Sequence, residues 1–342
     1  MKLRSVVFLN GLLLAGLLTA APSRLVLGEA EGENELTMEF TVSGLVKASD
    51  DLIYSGEILT DLEIDIETDS VVGFEMTGGQ IEATDTSFLF SSFLFGSQLL
   101  ELEDMRALPM SLEGKEVLEV PGQFDANQHV FEFNEGMAIS SGDLENSTSD
   151  VASGPFFANG VTTGSVLLSN KEVFLSTLTG EVVSYSYDVD FSVVMDALSK
   201  FGSGLDALDV ETIGTVTAAG KVEFGATDFF NWQMKHAPDV GLALAFDADA
   251  NGDGVADGLT WALGFEAGIR VTQTLRIDPS EGSLEVLLGD AGVRSAVMIE
   301  KSVNLGVDSW EPVQELGVGT KGEVMISLNT NDVCFYRLSV SE

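Results

Sequence analysis

Short runs in which every second residue is apolar and the residues between are polar or acidic recur along most of this chain. Leu36-Thr37-Met38-Glu39-Phe40-Thr41-Val42 and Leu62-Glu63-Ile64-Asp65-Ile66-Glu67 are the clearest. Successive side chains of a strand point to opposite faces, so such a run buries one face and solvates the other. Similar runs occupy Val71 to Met76, Val130 to Phe133, Val166 to Leu168, Tyr185 to Val193 and Val216 to Phe224, with Gly, Asn, Asp or Ser between most of them. Many short strands separated by turn residues predict a mainly β chain. The expected architecture is an antiparallel β-sandwich or barrel over residues 29–240, followed by a small β-sandwich-like module over residues 269–342. Ser97 to Leu108 and Val193 to Phe201 space their apolar residues more like amphipathic helices, which predicts one or two short helices. Ser55-Gly56-Glu57-Ile58 and Thr179-Gly180-Glu181-Val182 echo one another, as two copies of a duplicated unit would.

Charge limits the partners. The chain has 55 Asp and Glu against 16 Lys and Arg, a formal net charge of -39, and the excess is greater before Phe246 than after Val271. Such a surface repels nucleic acid and anionic lipid. Disorder is not implied, because 45% of the residues are hydrophobic and a core is available.

The N-terminus reads as an export signal. Lys2 and Arg4 precede an apolar run from Val6 to Leu18, and Thr19, Ala20 and Ala21 follow. A basic start, a short apolar stretch and small residues make a signal peptide, here residues 1–28. Cleavage after Ala20 or Ala21 fits, and Gly28 offers another small-residue site. No later segment is long and apolar enough for a transmembrane helix. The expectation is an extracellular or cell-surface protein. Cys334 is the single cysteine, so no internal disulfide is available, and Val333-Cys334-Phe335-Tyr336 reads as a buried strand.

The strongest local signal is Asp247-Ala248-Asp249-Ala250-Asn251-Gly252-Asp253-Gly254-Val255-Ala256-Asp257-Gly258. Side-chain oxygens at every second position, with turn-making glycines, suit a hard cation encircled by the chain, and calcium is the expected metal. Counting from Asp249 puts Asn251 third, Asp253 fifth, Gly254 sixth, the Val255 carbonyl seventh and Asp257 ninth, with Asp247 as an extra donor. Position twelve, where a bidentate Glu completes such loops, is Thr260. A weak dissociation constant of ~10⁻⁴ to 10⁻³ M is expected on that ground. The alternative is an acidic Asp/Gly/Asn linker over residues 241–268 that binds no ion.

The loop and the following Asp257-Gly258-Leu259-Thr260-Trp261-Ala262-Leu263-Gly264 resemble the thrombospondin type 3-like repeat that leads into a terminal β module in marine-bacterial exoproteins. Ile299-Glu300-Lys301-Ser302-Val303-Asn304-Leu305, Ser309-Trp310-Glu311-Pro312-Val313 and Phe335-Tyr336-Arg337-Leu338 are similar to strands of that module. The resemblance covers Asp247 to Glu342. It implies a calcium-dependent architecture and no particular activity, and the module is expected to serve attachment, spacing or export.

No recognised reaction motif is present. The two histidines, His129 and His236, form no His-Glu-x-x-His pair, and there is no Gly-x-Ser-x-Gly elbow. Gly317-Val318-Gly319-Thr320-Lys321-Gly322 has dinucleotide-type glycine spacing but lies between two strand-like runs, which predicts a hairpin turn. The acidic pairs Glu63 with Asp65 and Asp188 with Asp190 alternate with apolar residues, as solvent-facing strand positions do. The sequence therefore favours a non-enzymatic secreted or surface β protein of unknown ligand, with no catalytic residues. The alternatives are a carrier whose N-terminal β domain encloses an apolar molecule, with the Phe88 to Phe95 aromatic run as its lining, and a glycan-acting enzyme built on two carboxylates.

Overall fold

A computed structural model describes residues 18–19, 23–28, 34–42, 46–92, 96–143, 146–150, 154–156, 163–201, 208–236, 244–266, 269–271, 273–278, 282–305, 309–328 and 334–340. Most of the expected signal peptide lies outside these residues, as do Phe93, Leu94 and Phe95 of the aromatic run. The chain forms two compact units, Met1–Lys171 with Ser186–Glu223 (unit 1) and Glu172–Tyr185 with Phe224–Glu342 (unit 2). The divisions read from the sequence, at residues 240 and 268, fall inside unit 2.

The chain is mainly β. Its first fifteen strands are β1 (Leu18–Thr19), β2 (Ser23–Leu27), β3 (Glu35–Val42), β4 (Val46–Asp65), β5 (Ser70–Ala83), β6 (Thr86–Ser92), β7 (Gly96–Ser111), β8 (Glu116–Val117), β9 (Gln123–Asp125), β10 (His129–Gly142), β11 (Ser147–Asp150), β12 (Gly154–Phe156), β13 (Thr163–Leu175), β14 (Val182–Phe201) and β15 (Leu208–Gly225). They share one sheet whose main order is β11-β10-β7-β5-β4-β2-β15-β14-β13-β9. The sheet curls until strands far apart in that order face each other. Phe74 of β5 stacks on Phe124 of β9 at 4.6 Å and on Phe191 of β14 at 6.0 Å. Alternation does the rest: Leu36, Met38 and Phe40 of β3 and Ile58, Leu62 and Ile64 of β4 are buried, while Thr37 and Asp51 are exposed and pair across the outer face.

The long strands β4 and β15 are bridged by two shorter ones laid end to end. β2 pairs with Glu57 to Thr60 of β4 and Ala218 to Lys221 of β15, whereas β3 pairs with Val46 to Ile53 and Leu208 to Gly214. The break between them would leave ladder groups unpaired in the interior. Asn34, 2% exposed and at φ 54°, fills it: its Oδ1 accepts from the Thr217 N–H at 2.6 Å, its Nδ2 donates to the Gly28 carbonyl, and its own carbonyl accepts from the Tyr54 N–H. Asparagine is one of the few side chains that tolerates this left-handed backbone.

Neither segment read as helical is a helix. In β7 the burial runs Leu102, Met105, Ala107, Pro109, and the three-residue step from Leu102 to Met105 is what mimicked a helical period. Its cause is a bulge: Asp104 sits at φ 54°, and the register with β10 shifts between Glu135 and Met137, which pair with Arg106 and Glu103. The residues from Val193 to Phe201 continue strand β14, as β-branched Val193 and Val194 favour. The repeat echo has no structural counterpart here, since Gly56 lies within β4 and Gly180 in the turn between β13 and β14.

Among the described residues two α-helices are found, both in unit 2. α1 (Asp228–His236) begins at Thr227, whose hydroxyl accepts from the Phe230 N–H, and buries Phe229, Phe230, Trp232 and Gln233. α2 (Asp257–Ala262) follows the acidic loop. Beyond it, β16 (Leu275–Asp278), β17 (Ser283–Val286) and β20 (Val324–Ser327) form one three-stranded sheet, and β18 (Val297–Ser302), β19 (Glu311–Leu316) and β21 (Phe335–Val340) another. Leu284, Val286, Val297, Ile299, Leu316 and Ile326 pack in one core with Ala262 and Leu263. The helix is thus part of the C-terminal module. Gly317 to Gly322 is a turn, but it carries the chain from one sheet to the other and closes no hairpin. Cys334 precedes β21 and is half-buried, not buried in a strand as its apolar neighbours suggested.

Candidate functional site

The acidic loop is a closed structure within unit 2. The Asp257 N–H donates to the Ala248 carbonyl at 2.7 Å and the Gly258 N–H to the Phe246 carbonyl at 2.9 Å, so the loop's two ends are tied together. Inside, short polar side chains fold back on the main chain, the preferred chemistry of Asp and Asn in turns. Asp249 accepts from the Asp253 and Gly254 N–H groups, Asn251 Oδ1 also accepts from the Asp253 N–H, and Asp253 Oδ1 accepts from the Val255 N–H. Gly252 and Gly254, at φ 65° and 90°, take the left-handed positions that let the chain curl this tightly.

Of the expected ligands, Asp249, Asn251 and Asp253 are brought together on one turn. Asp253 Oδ2 accepts from Asn251 Nδ2 at 2.9 Å and from the Val271 N–H at 2.8 Å. Burial opposes ionisation of Asp253, but the Val271 and Val255 amides, Asn251 and the charge of Arg270 outweigh it and hold its carboxyl below the usual range. Arg270 also donates to the Asn251 and Gly252 carbonyls. Val255 is half-buried and Asp247 is exposed. Asp257 is 1% exposed and lies between the loop and α1, its Oδ2 accepting from Gln233 Nε2 at 2.8 Å and from the Ala250 N–H at 3.2 Å. Thr260, at position twelve, is also buried, and its hydroxyl donates back to the Ala256 carbonyl.

Does this set fit a divalent ion? Among the described residues no three His, Cys, Asp or Glu side chains converge closely enough to hold one. The loop offers two carboxylates, an amide oxygen and main-chain carbonyls instead. Oxygen donors suit calcium, whose shell takes 6–8 of them, with water as filler. The fit is that of a partial, weak shell.

One polar array escaped the sequence. Ser111 Oγ lies 2.7 Å from His129 Nδ1, and His129 Nε2 lies 2.9 Å from Glu116 Oε2. With a proton on Nε2 the neutral ring donates to the Glu116 carboxylate, and Nδ1 accepts from the Ser111 hydroxyl. The Met76 N–H donates to Ser111 Oγ. The order serine, histidine, carboxylate resembles a nucleophilic triad. Its setting is that of a clasp. The Ser111 oxygen is occupied by the main chain of β5, and the shallow concavity alongside is lined by Glu116, Phe124 and Asp125 but not by Ser111. Ser111 and His129 are register partners across β7 and β10, eighteen residues apart in sequence.

Burial pushes the His129 imidazole below 6.5, although Glu116, Asp125 and Glu75 all pull upward. The unfolded chain therefore takes the proton first, and the folded state loses stability as pH falls from about 6.5 through the depressed value. Asp50 and Asp69 are held below their usual range, chiefly by the Thr86 hydroxyl and by Lys171 respectively, so their share persists to lower pH. The urea midpoint of unit 1 should thus fall first between pH 7 and 5.5, and this phase should be missing in His129→Gln. An identical slope in both proteins would exclude His129 as its source.

Unit 1 also holds an apolar cavity of about 40 Å³ lined by Leu27, Leu36, Met38, Tyr54, Ile81, Ala107, Phe131, Met195, Thr212 and Val216. It is far smaller than the roughly 150 Å³ that admits benzene. Phe88 is not in its lining; this ring is fully buried, with its edge on Phe40 at 4.5 Å. The carboxylates considered for glycan chemistry are engaged at the surface: Asp65 accepts from Glu67 and Thr68, and Asp188 from Asn170.

No protein-family model, curated protein or solved structure gives a significant match to the chain.

Proposed function

We propose that this is an exported, non-enzymatic β protein, released or held at the cell envelope, whose acidic loop takes calcium weakly and so stiffens unit 2. The observation that carries the reading is the gathering of Asp249, Asn251 and Asp253 on one pre-curled turn, stapled to α1 through Gln233 and to the segment after α2 through Arg270 and Val271. An ion bound there would link the two helices, a structural role in keeping with the resemblance to calcium-dependent exoprotein modules. Melting in millimolar calcium and in chelator tests it. The calcium medium should raise the melting temperature of unit 2, and Asp253→Ala should abolish the difference. Equal melting in both media would remove the calcium reading.

Export carries a further expectation. Leu25 and Leu27 are buried at 0% and 1% exposure in β2, and Arg24 pairs with Glu57 of β4. Removal of β2 would uncover these partners, so the leader is expected to end before Ser23, after Ala20 or Ala21 and not at Gly28. Intact mass of the exported protein decides this: a chain starting at Glu29 would contradict it.

A further inference from the structure

The calcium reading leaves the loop one carboxylate short, and a side chain from outside the loop reaches its Asp257. Gln233 of α1 is 0% exposed. Its Nε2 donates to Asp257 Oδ2 at 2.8 Å and to the Ala245 carbonyl at 3.2 Å, while its Oε1 has no hydrogen-bond partner among the described residues. An amide oxygen so buried and left orphaned is disfavoured, and native interiors rarely keep one without a reason. The two ends of a glutamine amide are nearly equal in size. Turned over about its last bond, Gln233 would set Oε1 beside Asp257 Oδ2 and the Ala245 carbonyl. Three oxygens would then face one another with no hydrogen between them, an arrangement that a bound cation favours. The separations of 2.8 and 3.2 Å now spanned by Nε2 are comparable with those between neighbouring oxygens of a shell drawn to an ion at about 2.3–2.6 Å. The same Asp257 oxygen accepts from the Ala250 N–H, which places it against the first half of the loop.

We propose that Gln233 is the oxygen ligand that replaces the missing position-twelve glutamate, its amide turning over when a divalent cation of the calcium type binds. The inference rests on the calcium reading of the loop and adds to it a ligand from a separate helix. Gln233→Met keeps the length and apolar bulk of the side chain and removes the oxygen, whereas Gln233→Glu supplies the lost carboxylate.

Calcium is titrated into the whole protein and into Gln233→Met, Gln233→Glu and Asp253→Ala, with melting in chelator recorded for each. The expected results are a calcium affinity weakened about tenfold or more in Gln233→Met, tightened in Gln233→Glu, and lost in Asp253→Ala. In chelator, Gln233→Met should melt no lower than the parent by more than the loss of its two donor bonds explains. As a measure free of mutation, the side-chain NH₂ resonances of Gln233 should shift on adding calcium to the unaltered protein. Parental affinity in Gln233→Met together with loss in Asp253→Ala would overturn Gln233 as a ligand and leave the loop reading intact. Unmoved Gln233 resonances at saturating calcium would do the same. No binding by the parent would overturn both.

Discussion

Thr260→Glu should turn a weak, optional calcium response into a strict one. Thr260 lies at position twelve of the loop, where a complete calcium loop carries a bidentate carboxylate, and at 2% exposure its hydroxyl donates to the Ala256 carbonyl. A glutamate there without metal is a buried, unpaired charge beside Asp257, which costs several kcal/mol. With calcium the same group completes the ring of donors. Affinity should move from ~10⁻³ M toward the ~10⁻⁷ to 10⁻⁵ M of complete loops. Calcium at 100 times the dissociation constant would then return about 2.7 kcal/mol of stability. Melting of the variant in chelator should fall well below the parent and recover in millimolar calcium. A variant destabilised equally in both media would show that position twelve does not face the ion.

Gly264→Ala should be the most damaging single methyl in unit 2. Gly264 ends α2 at φ 83°, and a Cβ built there lies 1.9 Å from the Gly292 carbonyl oxygen. That contact is with backbone, held by hydrogen bonds from the Gly289 N–H to the Leu263 carbonyl and from the Arg294 N–H to the Ala262 carbonyl. The clash must therefore be relieved by lifting α2, whose Ala262 and Leu263 are wholly buried in the module core. A loss of about 3 kcal/mol or more is expected from overpacking combined with the left-handed backbone. Gly319→Ala is the control. Its φ is 84°, yet no described atom lies within 4 Å of the added methyl, so the backbone strain of about 1–2 kcal/mol remains. Urea unfolding of the two variants should separate the contributions, and equal losses would place the whole effect in the backbone angle.

The parts of the fold legible in the sequence were those governed by a two-residue period. Strands such as β3, β4, β14 and β15 stand where their alternation puts them, because one buried face fixes the register. The β7 bulge broke that period by one residue and produced a false helix. The helix that exists at α1 was hidden by brevity and by a cluster of aromatics, Phe229, Phe230 and Trp232, that any buried segment might carry; its Thr227 cap was the available signal. The meeting of Asp249, Asn251 and Asp253 on one turn was legible from their spacing. The contact of Asp257 with Gln233 was not legible, because Gln233 lies twenty-four residues earlier and meets it only through the packing of α1. The Ser111, His129 and Glu116 array was invisible for the same reason: its members are joined by strand register, which no local pattern records.

The calcium claim is tested most directly by calorimetric titration of calcium into the purified protein and its Asp253→Ala variant. One saturable equivalent with a dissociation constant of ~10⁻⁴ to 10⁻³ M in the parent, and none in the variant, is the expected result. No heat of binding in the parent up to several millimolar calcium would contradict it, leaving the loop as an acidic turn held together by its own amide hydrogen bonds.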